Sequence, residues 1–248
     1  MLVTYIYDGS FQGLLTCIYE YYYSDKKAQD IKSEKNYEKT LLTEEVYIET
    51  SEEKSLKVEK AIENKIGKEA LNNIFTVFLS EESGFEVLIL EYIKLGFKIG
   101  PKIQHHLHNP IVLQVSKKVK RVNNEVHRLC GFVRFSCLTG EIYYASIEPD
   151  HNILTLLVPH FAARFSNQKW IIHDLKRELA VLHDSGQWLL TSMKKSYGES
   201  LEYANSGFYE NLWKNYYKTI AIEERKNDRL RLQMMPKRYW KHMTEFRD

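Results

Sequence analysis

Apolar and polar positions mark out the elements in order along the chain. Leu2 to Tyr7 alternates and is rich in β-branched and aromatic residues, which predicts a strand. Asp8-Gly9-Ser10 reads as a turn, with Ser10 placed to cap the next helix. Phe11, Leu14, Leu15, Ile18 and Tyr22 give that helix an apolar stripe. Ser24 to Lys39 is polar and charged and reads as an exposed loop, followed by a short strand at Val46-Tyr47-Ile48. From Ser51 to about Leu129 the period is helical. Thr50 or Ser51 caps the start, with Glu53 nearby. Val58, Ile62 and Ile66 form one stripe, closed by Gly67. Ala70, Leu71, Ile74, Phe75 and Phe78 form a second. Phe85, Leu88, Ile89, Tyr92 and Leu95 form a third, closing near Gly96. Val115, Val119, Val122, Val126 and Leu129 form a fourth.

The pattern changes at Gly131. Phe132 to Leu138 and Ile142 to Ile147 read as strands joined by a hairpin turn at Thr139-Gly140-Glu141. Pro149-Asp150 is expected to open a helix capped by Asp150 or Asn152. Pro159 should break it or stand in the first turn of another. Lys169 to Asp174 reads as a strand, and two more, Glu178–His183 and Gln187–Ser192, turn at Asp184-Ser185-Gly186. A last helix, Gly207 to Glu224, would bury Phe208, Leu212, Tyr216 and Ile220. The expected fold is α+β, with a mainly antiparallel sheet that joins the first strand to residues 131–192 and with helices packed on it. The expected organisation is one domain over 1–248. It would contain a helical subdomain at 51–130, a sheet-rich core at 131–192, and a C-terminal helix with a basic tail at 200–248.

Composition narrows the class. The 248 residues are 44% apolar, enough for a sizeable core. No run of about 18 apolar residues is present, so no membrane partner is expected. The N-terminus enters a strand directly without the pattern of a signal peptide. Cys17, Cys130 and Cys137 make no C-x-x-C pair, which fits reduced thiols in a cytoplasmic protein and argues against an iron–sulfur cluster. No cofactor is expected, with a metal left open. Net charge is +2, but acidic residues dominate Glu34–Glu63 and basic ones dominate from Lys214 onward.

Walker, G-x-G-x-x-G, H-E-x-x-H and G-x-S-x-G motifs are all absent. The densest set of chemically capable side chains runs from Glu148 to Arg177: Asp150, His151, His160, Arg164, Trp170, His173 and Asp174 lie between. His173, Asp174, His160 and His151 are the candidate catalytic residues, since histidines and carboxylates supply acid–base and metal chemistry. The competing reading is a polar network that supports the strand end. Three histidines with Asp150 or Asp174 could also hold a metal, although their spacing fits no standard ligand set. His105, His106 and His108 cluster with no carboxylate or cysteine beside them.

Candidates for nucleic-acid contact are Lys117, Lys118, Lys120, Arg121 and Arg128 on the fourth helix, then Arg134, Arg164 and Arg177, and Lys237 and Arg238 in the tail. Cations there would neutralise phosphates. Tyr239 and Trp240 would offer stacking faces. The tail also carries Arg225, Lys226, Arg229, Arg231 and Lys241. A basic patch that docks an acidic protein is the alternative.

Several strings together resemble a known family. They are Tyr7-Asp8-Gly9-Ser10-Phe11, Gly131-Phe132-Val133-Arg134-Phe135, Ile147-Glu148-Pro149-Asp150-His151-Asn152-Ile153-Leu154, Pro159-His160-Phe161-Ala162, Trp170-Ile171-Ile172-His173-Asp174 and Met235-Pro236-Lys237-Arg238-Tyr239-Trp240. The family is one of uncharacterised bacterial proteins described as DNA-metabolism proteins. Its members are typically encoded beside a radical SAM protein of DNA modification or repair, and some are fused to a uracil-DNA-glycosylase-like domain. That fusion domain is not expected in a chain ending at Asp248. Asn227-Asp228-Arg229 stands where the family pattern has Asn-Pro-Arg. The resemblance implies a DNA-metabolism accessory protein that binds DNA and works with a radical SAM partner. It brings no catalytic residues. The alternatives are an enzyme acting on nucleic acid or nucleotide through the His/Asp cluster, and a protein–protein adaptor without DNA contact.

Overall fold

The computed structural model describes residues 2–39, 43–138, 141–198, 208–220 and 227–246. The chain divides into two compact units, Met1–Val122 and Asn123–Asp248. Among the described residues no helix is long and apolar enough to cross a membrane.

The first unit holds a three-stranded, all-parallel sheet. Strand β1 (Leu2–Tyr7) lies between β2 (Asp30–Ser33) and β3 (Thr43–Tyr47). Val3 to Tyr7 are all buried, as a central strand covered on both faces requires. Helix α1 (Phe11–Tyr23) starts at Ser10, whose hydroxyl accepts the Gly13 N–H at 2.9 Å. Gly13 permits a close approach: a Cβ there would stand 2.4 Å from Asp8 Oδ1. Helices α2 (Glu52–Lys65), α3 (Lys68–Phe78) and α4 (Phe85–Ile99) follow the expected stripes, with Ser51 as the α2 cap. The stretch 24–39, expected to be loop, contains β2. Ile31 is its only large apolar side chain and is fully buried, so tertiary pairing rather than any local pattern makes it a strand. Helix α5 (Pro110–Phe132) runs across the boundary between the units.

The second unit holds a separate five-stranded sheet of order β4-β5-β6-β7-β8. Its strands are β4 (Ser136–Cys137), β5 (Ile142–Ile147), β6 (Lys169–Asp174), β7 (Leu179–Asp184) and β8 (Gln187–Ser192). β5 and β6 are parallel, joined through α6 (Leu154–Arg164), and the other pairs are antiparallel. The α+β class therefore stands, but the sheets are mixed rather than mainly antiparallel, and β1 has its own sheet. The β5-α6-β6 crossover was hidden because Pro159 read as a helix breaker, whereas it lies inside α6. That helix starts after Ile153 without a side-chain cap, since Asp150 is engaged elsewhere. The strand expected at 132–138 shrinks to two residues because α5 continues to Phe132. The β7–β8 turn falls at Ser185-Gly186 as read, with φ of 49° and 85°.

Helix α7 (Phe208–Ile220) and helix α8 (Asp228–Met234) follow. Leu212 and Tyr216, expected to be buried, are exposed. Asn227 caps α8 by accepting the Leu230 N–H, which leaves Asp228 at the first helical position, where proline or an acidic residue each fits. Residues Thr139, Gly140, Gly207 and 221–224 of the expected turn and last helix lie outside the described residues, as do Arg225, Lys226 and the side chains of Phe208 and Ile220.

Candidate functional site

The polar centre of the second unit is Glu125, a residue the apolar periodicity passed over. It lies three residues after Val122 and four before Leu129, on the stripe that α5 buries, and is itself buried. A carboxylate at a core position of a helix must be met by donors. Four converge on it. The backbone N–H groups of Asp150 and His151 donate at 2.8 and 3.0 Å, His151 Nδ1 lies at 2.5 Å, and the Tyr239 hydroxyl donates at 2.5 Å. Burial pushes the Glu125 carboxyl up, but the bonds from His151, Tyr239 and the two backbone N–H groups outweigh it and hold it at about 2. Burial and the bond to Glu125 in turn push the Tyr239 hydroxyl well above the usual phenol range.

These bonds fix one side of the loop that follows β5, Glu148-Pro149-Asp150-His151-Asn152. Arg177 fixes the other. Its guanidinium donates to the carbonyls of Pro149 and Asp150 at 3.1 and 2.7 Å and to Asp174 Oδ2 at 2.9 Å. Asp174 ends β6 fully buried, and its Oδ1 also accepts the N–H groups of Lys176 and Arg177. Burial raises the Asp174 carboxyl above the ordinary carboxylate range, with Arg177 pulling against it. The C-terminal segment closes the arrangement. Lys237–His242 forms a 3-10 turn anchored by buried Tyr239, while Arg238 reaches Asp150 Oδ2 at 2.6 Å and Lys241 pairs with Glu148. Replacing Tyr239 with Phe should cost about 2 kcal/mol, the scale for one hydrogen bond to a charged acceptor, read as a shift in the urea midpoint.

The four candidate catalytic residues are not gathered into one acid–base site. His173 and Asp174 are neighbours in a strand, so their side chains leave opposite faces of the sheet. His173 lies buried between the Tyr144 hydroxyl (3.0 Å from Nδ1) and the Met193 carbonyl (2.9 Å from Nε2). His160 is exposed on α6, edge-on to Phe161. Only His151 joins the Glu125 centre. Among the described residues no group of three His, Cys, Asp or Glu side chains is placed to hold a metal ion. In the His105–His108 cluster, His106 Nδ1 lies 2.9 Å from the Lys102 carbonyl.

The candidate nucleic-acid residues fall into two groups. Several are committed to internal partners. Arg134 binds Glu245 through two nitrogens, at 3.1 and 2.7 Å, and lies over the Trp213 ring. Arg177 holds Asp174. Lys118 and Arg121 both pair with Glu82. Tyr239 is buried against Phe132, so its ring is not offered for stacking. Trp240 stacks on Phe246 at 4.6 Å and donates to the Met235 carbonyl. The second group faces solvent: Lys117, Lys120, Arg164 and Lys237 are exposed and Arg128 is half-buried, and none of them makes an ion pair among the described residues.

The model of a family described as a domain of unknown function, DUF4130, matches residues 83–245. That span takes in every residue of the Glu125 centre. No curated protein and no solved structure matches the chain.

Proposed function

We propose that this chain, which belongs to the DUF4130 family of domains of unknown function, is an accessory protein of DNA metabolism that binds nucleic acid and works beside a radical SAM partner. The partner rests on the sequence resemblance. The nucleic-acid contact has a physical support as well, and one observation carries it. The basic segment after α8 is a fixed turn rather than a loose arm, because Tyr239 roots it in the buried carboxylate of Glu125. Arg238 and Lys241 are thereby held against the loop at 148–152, with exposed Lys237 beginning the same turn, and Lys176 reaches the loop through the Asp150 carbonyl at 3.4 Å. Arg238 and Lys241 are balanced by the loop's two carboxylates, Asp150 and Glu148, so exposed Lys237 and Lys176, which make no ion pair among the described residues, carry the rim's uncompensated positive charge. Such a rim neutralises phosphate without reading base sequence, and a rigid rim loses little side-chain freedom on binding.

Lys237 is exposed and makes no ion pair among the described residues, so changing it should leave the fold alone. Lys237→Glu should weaken oligonucleotide binding several-fold, and Lys237→Ala should lower the slope of log affinity against log salt by about 1. Fluorescence anisotropy across a salt series measures both. Affinity and slope equal to those of the native protein would remove this turn from the interface.

One observation favours a second reading, acid–base chemistry on a nucleic acid or nucleotide. The Glu125 carboxylate takes His151 Nδ1, a pairing that fixes the imidazole's orientation and tautomer. Oligonucleotide or nucleotide turnover lost in His151→Gln would select it.

A further inference from the structure

We infer that the outer edge of β8 is a self-association surface on which a second copy of this chain pairs antiparallel, joining two five-stranded sheets into one of ten strands. The inference stands apart from the functional reading above.

Edge strands expose unpaired N–H and C=O groups, and proteins ordinarily protect them by charge, proline, a bulge or shortness. Among the described residues, three of the four sheet edges are protected. β2 carries Asp30 and Lys32, β3 carries Glu44 and Glu45, and β4 is two residues long. β8 is the exception. Gln187-Trp188-Leu189-Leu190-Thr191-Ser192 is six residues long and contains no charge and no proline. Among the described residues β7 is its only strand neighbour. Trp188, Leu189 and Leu190 are 49%, 63% and 40% exposed, three consecutive large apolar side chains at an open edge. Leu182 and Leu189 also line a hollow of about 630 Å³ with Ile142 and Ile171, rimmed by Lys169, Asp184 and Gln187. The hairpin continues this apolar surface up to the edge.

The backbone selects the pairing. The Met193 N–H donates to the Glu178 carbonyl at 2.8 Å. Antiparallel ladders alternate, so residues 187, 189 and 191 also turn their N–H and C=O groups toward β7. Those of Trp188, Leu190 and Ser192 point outward. A two-fold axis perpendicular to the sheet at Leu189 lets Trp188 and the partner's Leu190 exchange both hydrogen bonds, and the reciprocal pair does the same. Trp188 then packs on the partner's Leu190 on one face, and Leu189 on the partner's Leu189 on the other. An axis at Leu190 would set Trp188 opposite Ser192, a poorer cross-strand pair. A two-fold interface needs a self-complementary surface, and an uncharged apolar strand is one because no like charges meet. A second copy is therefore the occupant that fits.

Sedimentation equilibrium on the full chain at tens of micromolar tests this, alongside oxidative cross-linking. The native protein should have twice the monomer mass. Leu189→Lys sets two ammonium groups opposite each other and should be monomeric, with an unchanged circular dichroism spectrum because the side chain already faces solvent. In a Cys137→Ser background, Leu189→Cys should form a covalent dimer on oxidation, since residues in such a non-hydrogen-bonded pair stand about 4.5 Å apart at Cα. A monomeric native chain would overturn the inference and leave the edge to a strand of another protein. A Leu189→Lys chain that stays dimeric, or a dimer in which Leu189→Cys fails to cross-link, would overturn it too.

Discussion

Replacing Arg177 with Ala is expected to destabilise the second unit by about 4 kcal/mol. The change strands the Asp174 carboxylate, which is fully buried, without the guanidinium 2.9 Å away. Breaking a buried ion pair from one side costs roughly 3–5 kcal/mol because the remaining charge is uncompensated. It also strips the Pro149 and Asp150 carbonyls of their donor, releasing the loop that Glu125 holds from the other side. Truncating both partners should hurt less than the sum of the single changes, since Asp174→Ala removes the stranded charge. All four tryptophans, Trp170, Trp188, Trp213 and Trp240, lie in the second unit, so their fluorescence in urea follows that unit alone. A loss below about 1 kcal/mol for Arg177→Ala would show that the pair does not hold the loop.

Acid should weaken the second unit through Glu125. Its carboxyl is held at about 2 in the folded chain, against about 4.5 when free. A carboxylate with a depressed folded pKa stabilises the fold above its unfolded value, and that contribution fades as pH falls through the folded one. Some 3 kcal/mol should therefore disappear between about pH 4.5 and pH 2. Asp174 acts in the opposite sense. Its folded pKa is raised, so ionising it opposes folding as pH climbs past the unfolded value, and its protonation in acid offsets part of the loss. Glu125→Gln separates the two. The variant should be about 3 kcal/mol less stable than the native protein at pH 7, and the gap should close as pH approaches 2. A gap that is constant with pH would mean that the charge on Glu125 is not what the surrounding donors stabilise.

Local signals were legible in the sequence, and long-range ones were not. Ser10 and Ser51 cap their helices as read, and Ser185-Gly186 makes the β7–β8 turn, because each depends on a few consecutive residues. β2 was missed because a strand of four residues with one large apolar side chain is defined by its parallel neighbour. The parallel pairing of β5 and β6 was missed because Pro159 disguised the crossover helix that joins them. Among the site residues, His151, Asp174, Arg177 and Arg238 do meet around the 148–152 loop, and His160 and His173 do not. A helical reading could have found Glu125, since a carboxylate between Val122 and Leu129 on a buried stripe needs partners. Nothing local marks Tyr239 as that partner, 114 residues away. A tail dense in arginine, lysine and aromatics reads as exposed until the fold buries one ring.

The proposed role depends on phosphate binding at the basic rim, and direct titration of the native protein into labelled single- and double-stranded oligonucleotides tests that binding. The expected result is dissociation constants in the range of about 10⁻⁶ to 10⁻⁴ M near physiological salt, tightening steeply as salt is lowered. No binding of either form at about 50 mM salt would contradict it, and the exposed lysines and arginines would then be a solvated surface with no nucleic-acid role.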